Sequence, residues 1–496
     1  MQLFRTKSLE AIQSDVGGED DRGGGDVGHL RKRLTARHLI GFGIGVVIGT
    51  GIFTLTGIQA RNTAGPAVVI SFAIAGVVAL LAALCYSELA SSVPTAGSAY
   101  SYAYATTGEL LAWIIGWDLF LEFAFGAAVV ARGWSAYIGN LLDLPPSLFG
   151  EGATVNVGAA FIVVVLTVVA VLGIRESARV TTVLVVVKVA ICVFVVVAGI
   201  WFVKGANLTP FIPAGAPSEG ADGLTRPLIS VIAGLEPATF GIGGVLTAAA
   251  VVFFAYTGFE AVANMSEETR KPSRDIPLGL LGTLGVATAL YIGVAFVVVG
   301  MVEYTDIDEG APIADAFDQV GLGWASSLIS IAAVAGLTSV ILVDLITVSR
   351  IGFAMGRDGL LPPGIAKVSP RTGTPVRMTL AYAALVLLMA TFVPLESLAN
   401  LVSIGTLFAF VLVFAAVPVL RRTRPDLPRP FRVPFSPVVP VVSALACLYL
   451  MLNLEVETWL RFLAWMVLGL LVYAFYGYRH SRIGSADRVE AAGRSD

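Results

Sequence analysis

Apolar stretches of helical length alternate with short polar segments along most of this chain. A helix needs about 20 mainly apolar residues to cross a bilayer. Twelve stretches approach or exceed that length and are predicted as spans 1 to 12, at roughly 38–58, 66–90, 109–139, 155–174, 179–203, 243–264, 278–302, 324–353, 376–394, 398–420, 436–454 and 457–478. The pattern predicts an all-α, polytopic membrane protein.

Composition supports a chain embedded in a lipid bilayer. Of its 496 residues, 56% are hydrophobic and 14% are charged, and the mean hydropathy is +0.83. These values lie far outside the range of soluble globular proteins. The formal net charge of -3 gives no sign of a nucleic-acid partner.

The distribution of the basic residues predicts the orientation of the spans. Most of the 32 lysines and arginines fall in the two tails or in the loops on the same side of the membrane as the tails. Only four fall on the opposite side, namely Arg61, Lys204, Arg226 and Arg461. Loops rich in lysine and arginine stay in the cytoplasm, so both termini are predicted to be cytoplasmic in a protein of the cell membrane.

The spans divide the chain into six predicted segments. These are a disordered cytoplasmic tail (1–36), spans 1 to 5 (37–204), an external loop (205–242), spans 6 to 10 (243–420), spans 11 and 12 (433–480) and a cytoplasmic tail (481–496). Between spans 7 and 8, segment 303–322 has six acidic residues and no basic one. Its apolar residues fit a short amphipathic helix over the external face, and a solvated loop is the alternative.

Span 1 contains six glycines between Gly41 and Gly57. Glycine costs a helix interior up to about 1 kcal/mol relative to alanine. The sequence Gly49-Thr50-Gly51 therefore predicts that the helix unwinds near mid-membrane. Unwound backbone is tolerated there only where it is buried in protein or lines a cavity. Close helix packing through small residues is the alternative interpretation.

Span 6 contains a second weak point, the segment Phe253–Glu260 with Gly258 beside Tyr256 and Thr257. Span 6 follows span 1 by five spans, so the two run in opposite directions. Interrupted helices at matching positions of two inverted halves indicate the substrate site of a transporter. The pattern favours a site formed by both breaks.

The two breaks offer polar groups of both signs. The half-helix after the span 1 break presents free amides and a positive dipole end, which suit a carboxylate. Unwound carbonyls suit an ammonium group, so the pair fits a zwitterionic amino acid. The candidate substrate-binding residues are Val46, Ile48, Gly49, Thr50, Gly51, Phe254, Ala255, Tyr256 and Thr257.

Lys188 lies deep within span 5, about 15 Å from its start at a rise of about 1.5 Å per residue. A charge at that depth is costly and is by default functional. Removal from water favours the neutral amine, so reversible deprotonation is feasible. Lys188 is the candidate proton-coupling residue with Glu122 and Glu260 as partners, and a structural salt bridge is the alternative. Packing roles for Asp118, Arg132 and Asp344 stay equally open.

The sequence offers no chemistry for an enzyme. The cysteines Cys85, Cys192 and Cys447 are isolated, and the three histidines lie outside the spans. We expect no metal or cofactor, because the spans contain no metal-ligand cluster and no pair of a nucleophile and a base.

Four ordered motifs resemble those of the amino acid–polyamine–organocation superfamily, and most closely its cationic amino acid transporter branch. They are GIGVVIGTGIF in span 1, PTAGSAYSYAYATTGELLAWIIGWDLFLEF leading into span 3, FFAYTGFEAVANMSEETRKPSRDIPLG in and after span 6, and RIGFAMGRDGLLP after span 8. The resemblance covers about residues 30–480.

The resemblance implies a five-plus-five inverted repeat with broken helices 1 and 6. Residues 37–204 would form the first five-helix repeat, 243–420 the second, and 433–480 two peripheral helices. It implies carboxylate binding at Thr50 and Gly51, and amine binding at carbonyls of spans 1 and 6. Lys188 matches a lysine that replaces a sodium ion in related transporters, which implies proton coupling. One departure is Glu260, because this family usually has aspartate there. The longer side chain either reaches further towards Lys188 or narrows the pocket.

The expected function is inward secondary active transport of an L-amino acid, driven by the proton gradient through alternating access. Protons and the lipid bilayer are the other expected partners. Exchange of amino acids or polyamines without net proton movement is the alternative, in which Lys188 is a fixed structural cation. Cationic and small neutral amino acids both fit, and no oligomeric state is predicted.

Overall fold

The computed structural model describes residues 34–482, except for 93–99, 101–103, 105–107, 174–177, 218–222, 237, 266–267, 366, 370–371, 373, 424 and 426–427. Most of the two predicted tails, 1–36 and 481–496, therefore lies outside the described residues.

The first six spans are helical at the predicted places. Their bounds are Ala36–Val47, Thr50–Phe53 and Leu55–Gln59 for span 1, Val68–Ser92 for span 2, Glu109–Leu142 for span 3, Val157–Val171 for span 4, Ala178–Gly199 for span 5, and Gly241–Val252, Phe253–Tyr256 and Phe259–Met265 for span 6. The last two pieces of span 6 are 3₁₀-helical. Spans 1 and 6 are thus broken, as predicted.

The other six spans are single helices. Their bounds are Pro272–Met301 for span 7, Gly323–Arg357 for span 8, Val376–Phe392 for span 9, Leu395–Thr423 for span 10, Val438–Leu452 for span 11 and Val456–Val472 for span 12. Eight helices in the described part of the chain are long and apolar enough to cross a membrane, and four shorter apolar helices complete the set. The prediction of a twelve-span, all-α membrane protein is confirmed.

Smaller elements connect the spans. Helical turns lie at Ala60–Ala64, Gly65–Ala67, Pro146–Phe149, Ile200–Phe202, Gly205–Leu208, Leu228–Ala233, Tyr304–Asp306, Pro312–Gln319, Tyr473–Gly477 and Tyr478–His480. The two-residue strands Ala216–Pro217 and Ala238–Thr239 pair antiparallel. The helix Pro312–Gln319 buries Ile313 and Phe317 and exposes Asp318, so the amphipathic helix predicted in 303–322 is confirmed.

The contacts between spans follow the inverted repeat. In such a repeat span 1 is equivalent to span 6, span 2 to span 7, and so on to spans 5 and 10. The contact between spans 1 and 7 therefore has its equivalent in the contact between spans 6 and 2, and both are present. The contact between spans 3 and 10 likewise has its equivalent in the contact between spans 8 and 5. Spans 2 and 7 contact each other, and so do spans 3 and 8. Spans 11 and 12 lie outside this pattern and pack mainly on span 10.

Small residues bring span 1 close to its neighbours. A Cβ on Gly43 would lie 2.3 Å from Thr283 Oγ1 of span 7, and one on Gly45 would lie 2.4 Å from Val185 of span 5. Lipid offers no hydrophobic driving force between helices, so such close van der Waals packing is what holds them together. The glycines of span 1 therefore serve packing as well as the break.

Candidate functional site

The helix of span 1 is interrupted directly before Thr50. Its first part ends at Val47, Ile48 and Gly49 are extended, and a new turn begins at Thr50. Gly51 faces span 6 so closely that a Cβ there would lie 2.4 Å from the Cα of Ala255. Glycine at position 51 is what lets the two broken helices meet.

Span 6 is interrupted at Thr257 and Gly258. Thr257 is extended, and Gly258 has a φ of +90°, which is strained for any residue with a side chain. The Thr257 side chain donates to the carbonyl of Phe254 at 2.9 Å. Span 6 thus unwinds as predicted, and the unwound residues follow the tight 3₁₀ turn Phe253–Tyr256.

Both breaks border one cavity between spans 1, 3, 6 and 8. It encloses about 40 Å³, and a water needs at least about 10–15 Å³ of such space. The spans must therefore separate before the cavity can admit a molecule of amino-acid size. Its lining consists of Val46, Val47, Gly49, Thr50, Gly51, Glu122, Phe123, Gly126, Val130, Phe254, Ala255, Thr257, Gly258, Val340 and Asp344.

Most of the predicted substrate-binding residues line this cavity, but two do not. Ile48 is fully buried away from it. Tyr256 points its hydroxyl to the Phe72 carbonyl of span 2, at 2.8 Å. Asp344 of span 8 does line the cavity, although no role could be chosen for it from the sequence.

Tyr291 of span 7 joins the two breaks and was missed by the sequence reasoning. Its hydroxyl lies 2.7 Å from the carbonyl of Val47 and 3.0 Å from that of Ala255. Both carbonyls belong to residues at the interruptions. A lone tyrosine in an apolar span carries no signal of such a contact, because the contact depends on how spans 1, 6 and 7 pack.

Lys188 contacts span 1 beside its break. Its ammonium donates to the Gly45 carbonyl at 2.8 Å, and its side chain packs on Gly336 of span 8, where a Cβ would lie 2.8 Å from Cε. In an unbroken helix the amide of Gly49 would bind Gly45, so the interruption releases that carbonyl for Lys188. Lys188 thus lies where spans 1, 5 and 8 meet.

Three buried carboxylates, those of Glu122, Asp344 and Glu260, lie near the breaks, and the first two line the cavity. Glu122 interacts electrostatically with Glu260 and with Asp344, and Lys188 acts on Asp344. The carboxyl groups of Glu122 and Glu260 lie close enough to hydrogen-bond to each other. Asp344 is the residue that interacts with Lys188 as well as with Glu122 and Glu260, so it links the predicted coupling residues.

Arg132 and Asp118, whose roles the sequence left open, lie outside the cavity. The buried Arg132 guanidinium donates to the Val393 carbonyl at 2.6 Å and to the Glu151 carbonyl at 3.0 Å. It also pairs with the Glu151 carboxylate at 3.4 Å. Arg132 therefore joins the loops after spans 3 and 9. Asp118 is fully buried against Gly405 of span 10.

An inverted repeat whose two broken helices face one cavity is the architecture of a secondary transporter. The family described as amino acid permease matches residues 34–476. The chain belongs to this amino acid permease family, and its predicted place in the amino acid–polyamine–organocation superfamily is confirmed.

Named relatives match along most of the chain. The methylthioribose transporter of Bacillus subtilis (strain 168) is 42% identical over 489 residues, covering 97% of this chain and 98% of that protein. The branched-chain amino acid permease BcaP of the same organism is 39% identical over 496 residues, covering 97% and 99%. The vacuolar cationic amino acid transporter 4 of Arabidopsis thaliana is 39% identical over 406 residues, covering 80% and 64%. The chain is a transporter, not an enzyme.

Proposed function

We propose that this protein imports an L-amino acid across the cell membrane and couples its uptake to protons. The observation that carries the proposal is that both helix breaks border one and the same cavity. The breaks supply backbone groups of both signs within the membrane, which a zwitterion needs and which lipid cannot supply.

The substrate carboxylate would bind at the start of the second part of span 1. The amides of Thr50 and Gly51 are the first two of that turn and have no acceptor among the described residues. The Thr50 hydroxyl is buried and has no hydrogen-bond partner there either. Thr50 and Gly51 both line the cavity, so one carboxylate could accept from these three donors together.

The substrate ammonium would bind carbonyls on the other side of the cavity. The Val46 carbonyl is one such acceptor, because the Thr50 amide that would bind it in an unbroken helix does not do so. The Phe254 carbonyl already accepts from the amide and the hydroxyl of Thr257. The Glu122 carboxylate also lines the cavity and favours a positive group. An amino acid bound this way presents its side chain to Phe123, Val130 and Val340 of spans 3 and 8.

Proton coupling would act through Lys188. A protonated Lys188 holds the Gly45 carbonyl beside the break, whereas a neutral one holds it more weakly. A proton that binds one conformation better than another shifts the equilibrium between them, which is the requirement for coupling. Glu122 and Glu260 would share or pass on the proton.

The relatives' names suggest a second candidate substrate. One relative of nearly full coverage is named for methylthioribose, which has no carboxylate and no ammonium group. Another is named for branched-chain amino acids. The two candidates differ in their use of Thr50 and Gly51, because only an amino acid has a carboxylate for those donors. Competition between labelled methylthioribose and unlabelled amino acids for uptake separates the two candidates.

The test is uptake into proteoliposomes that contain the purified protein and no internal substrate. We expect an inward proton gradient to drive accumulation of labelled L-leucine or L-arginine, and a protonophore to abolish it. Uptake that requires internal amino acid would contradict proton coupling and establish exchange. Uptake of methylthioribose that no amino acid inhibits would contradict the proposed substrate class.

A further inference from the structure

Span 1 has a second irregular point four residues after its break. Thr54 has φ of -122° and ψ of -49°, and it separates the turn Thr50–Phe53 from the helix Leu55–Gln59. The amide of Gly57 binds the carbonyl of Thr54 at 3.1 Å instead of that of Phe53. The Phe53 carbonyl is thereby released from the helix inside the membrane, where it needs another donor.

Tyr137 of span 3 supplies that donor. Its hydroxyl donates to the Phe53 carbonyl at 2.6 Å, and the tyrosine is fully buried. The two rings also pack edge to face, with centroids 5.9 Å apart and an interplanar angle of 80°. Phe53 is thus held to span 3 by its backbone and by its side chain.

One turn earlier on span 3, Gly133 contacts the other end of the same segment. A Cβ on Gly133 would lie 2.6 Å from Thr50 Cγ2 and 3.2 Å from Thr54 Oγ1. The backbone of span 3 therefore touches the Thr50 side chain directly. Gly133 and Tyr137 together hold the segment from Thr50 to Thr54 against span 3.

The two sides of the break are held by different helices. Tyr291 of span 7 binds the carbonyl of Val47, before the break, and Tyr137 of span 3 binds that of Phe53, after it. Only Ile48 and Gly49 lie unwound between the two parts. A change in the separation of spans 3 and 7 therefore acts directly on the gap that borders the cavity.

The geometry points to Tyr137 and Gly133 as positioning residues that set substrate affinity by fixing Thr50 and Gly51 relative to span 6. Neither residue is part of the cavity wall, so they act through the segment they hold. This inference rests on the proposed function, because it assigns substrate contact to Thr50 and Gly51.

The first test is Tyr137→Phe, which keeps the ring and removes the hydroxyl. Losing a hydrogen bond to a buried carbonyl corresponds to a change of about tenfold in an equilibrium constant. We expect KM for L-leucine or L-arginine uptake to rise about tenfold with the maximal rate nearly unchanged. Tyr473→Phe is the matched control, since its buried hydroxyl binds Glu109 at 2.9 Å far from the break.

A merely structural role would lower the stability of both tyrosine variants and leave KM in place. Hydrogen exchange of the peptide containing residues 48–58 gives a readout that does not depend on transport. We expect faster exchange there in Tyr137→Phe than in Tyr473→Phe. Equal exchange in both variants overturns the inference even if the protein carries neither amino acid. Faster exchange in Tyr137→Phe, together with a wild type that transports neither amino acid, would instead contradict the proposed function alone.

The second test uses Gly133. Gly133→Ala should displace Thr50 and raise KM by more than Tyr137→Phe does. Adding Thr50→Ser removes Cγ2, the nearest atom at 2.6 Å, and should restore part of the loss. Gly285→Ala on span 7 is the matched control, because no atom lies within 4 Å of its new Cβ. An unchanged KM in Gly133→Ala, or a raised KM that adding Thr50→Ser does not lower, would overturn the role of Gly133.

Discussion

At the scale of single residues, Lys188 carries the proposed coupling because it lies between the break and span 8. We expect Lys188→Ala to be expressed and to lose uptake driven by a pH gradient, since no titratable group then holds Gly45. Lys188→Arg keeps a charge that does not titrate and should bind substrate without responding to the gradient. Uptake by Lys188→Ala with the pH dependence of the wild type would refute the coupling role.

The carboxyl of Glu455, just before span 12, should make the folding stability of the protein depend on pH. Burial, and then Glu396 and Glu457, raise the pKa of its carboxyl to about 7, with Arg461 opposing them. A folded-state pKa above the unfolded value of about 4.3 means that the folded protein binds more protons. Folding stability should therefore fall as pH rises from about 4.3 to 7.

The check is thermal unfolding of the detergent-purified protein at pH 5 and pH 8. We expect the melting temperature to fall between these pH values by less in Glu455→Gln than in the wild type. Glu303→Gln, a change of a solvent-exposed carboxylate, is the control. An identical pH response of Glu455→Gln and the wild type would rule out Glu455 as a source of the dependence.

The sequence predicted the helix breaks only where the residues themselves disfavour a helical backbone. The break at Gly49, Thr50 and Gly51 could be predicted because three consecutive weak helix formers favour unwinding. Tyr291 and Tyr137 could not be found, because a buried tyrosine in an apolar span looks the same whether or not its hydroxyl binds a broken helix. Their roles depend on which carbonyls the breaks release.

At the scale of elements, the close approach of spans 1 and 6 depends on Gly51. We expect Gly51→Ala to reduce uptake by about tenfold or more, since overpacking costs about 1–3 kcal/mol and the clash is with the Ala255 backbone. Gly41→Ala in the same span is the matched control, because its Cβ meets no atom within 4 Å. Equal uptake by the two variants would show that the breaks need not touch.

The elements themselves were predictable to within a few residues, but the form of the breaks was not. Apolar length and glycine content predicted twelve spans and both interruptions. The extended residues are nevertheless Ile48 and Gly49, and Thr50 already begins the next turn. Glycine content locates a weak point, whereas the contacts with spans 3, 6 and 7 decide which residues leave the helix.

At the scale of the whole molecule, the family resemblance predicted the five-plus-five repeat, and counting spans predicted that its halves are inverted. Five is an odd number, so two five-span units have opposite orientations, and the contacts between the spans repeat accordingly. The cavity size did not follow from any count. It depends on how far spans 1 and 6 stand from spans 3 and 8 in one conformation of a transporter that must adopt several.

The orientation of the whole molecule is a further prediction, because most lysines and arginines lie on the side of the two termini. Green fluorescent protein fused after residue 496 should fluoresce in a bacterial host, and alkaline phosphatase fused there should be inactive. The matched fusion places the reporter after Leu454, between spans 11 and 12, and should give the reverse pattern because an odd number of spans precedes the reporter. The same reporter activity at both positions would show that span 12 does not cross the membrane. Active alkaline phosphatase after residue 496 and active green fluorescent protein after Leu454 would place both termini outside the cell. The orientation of the whole transporter would then be the opposite of the predicted one.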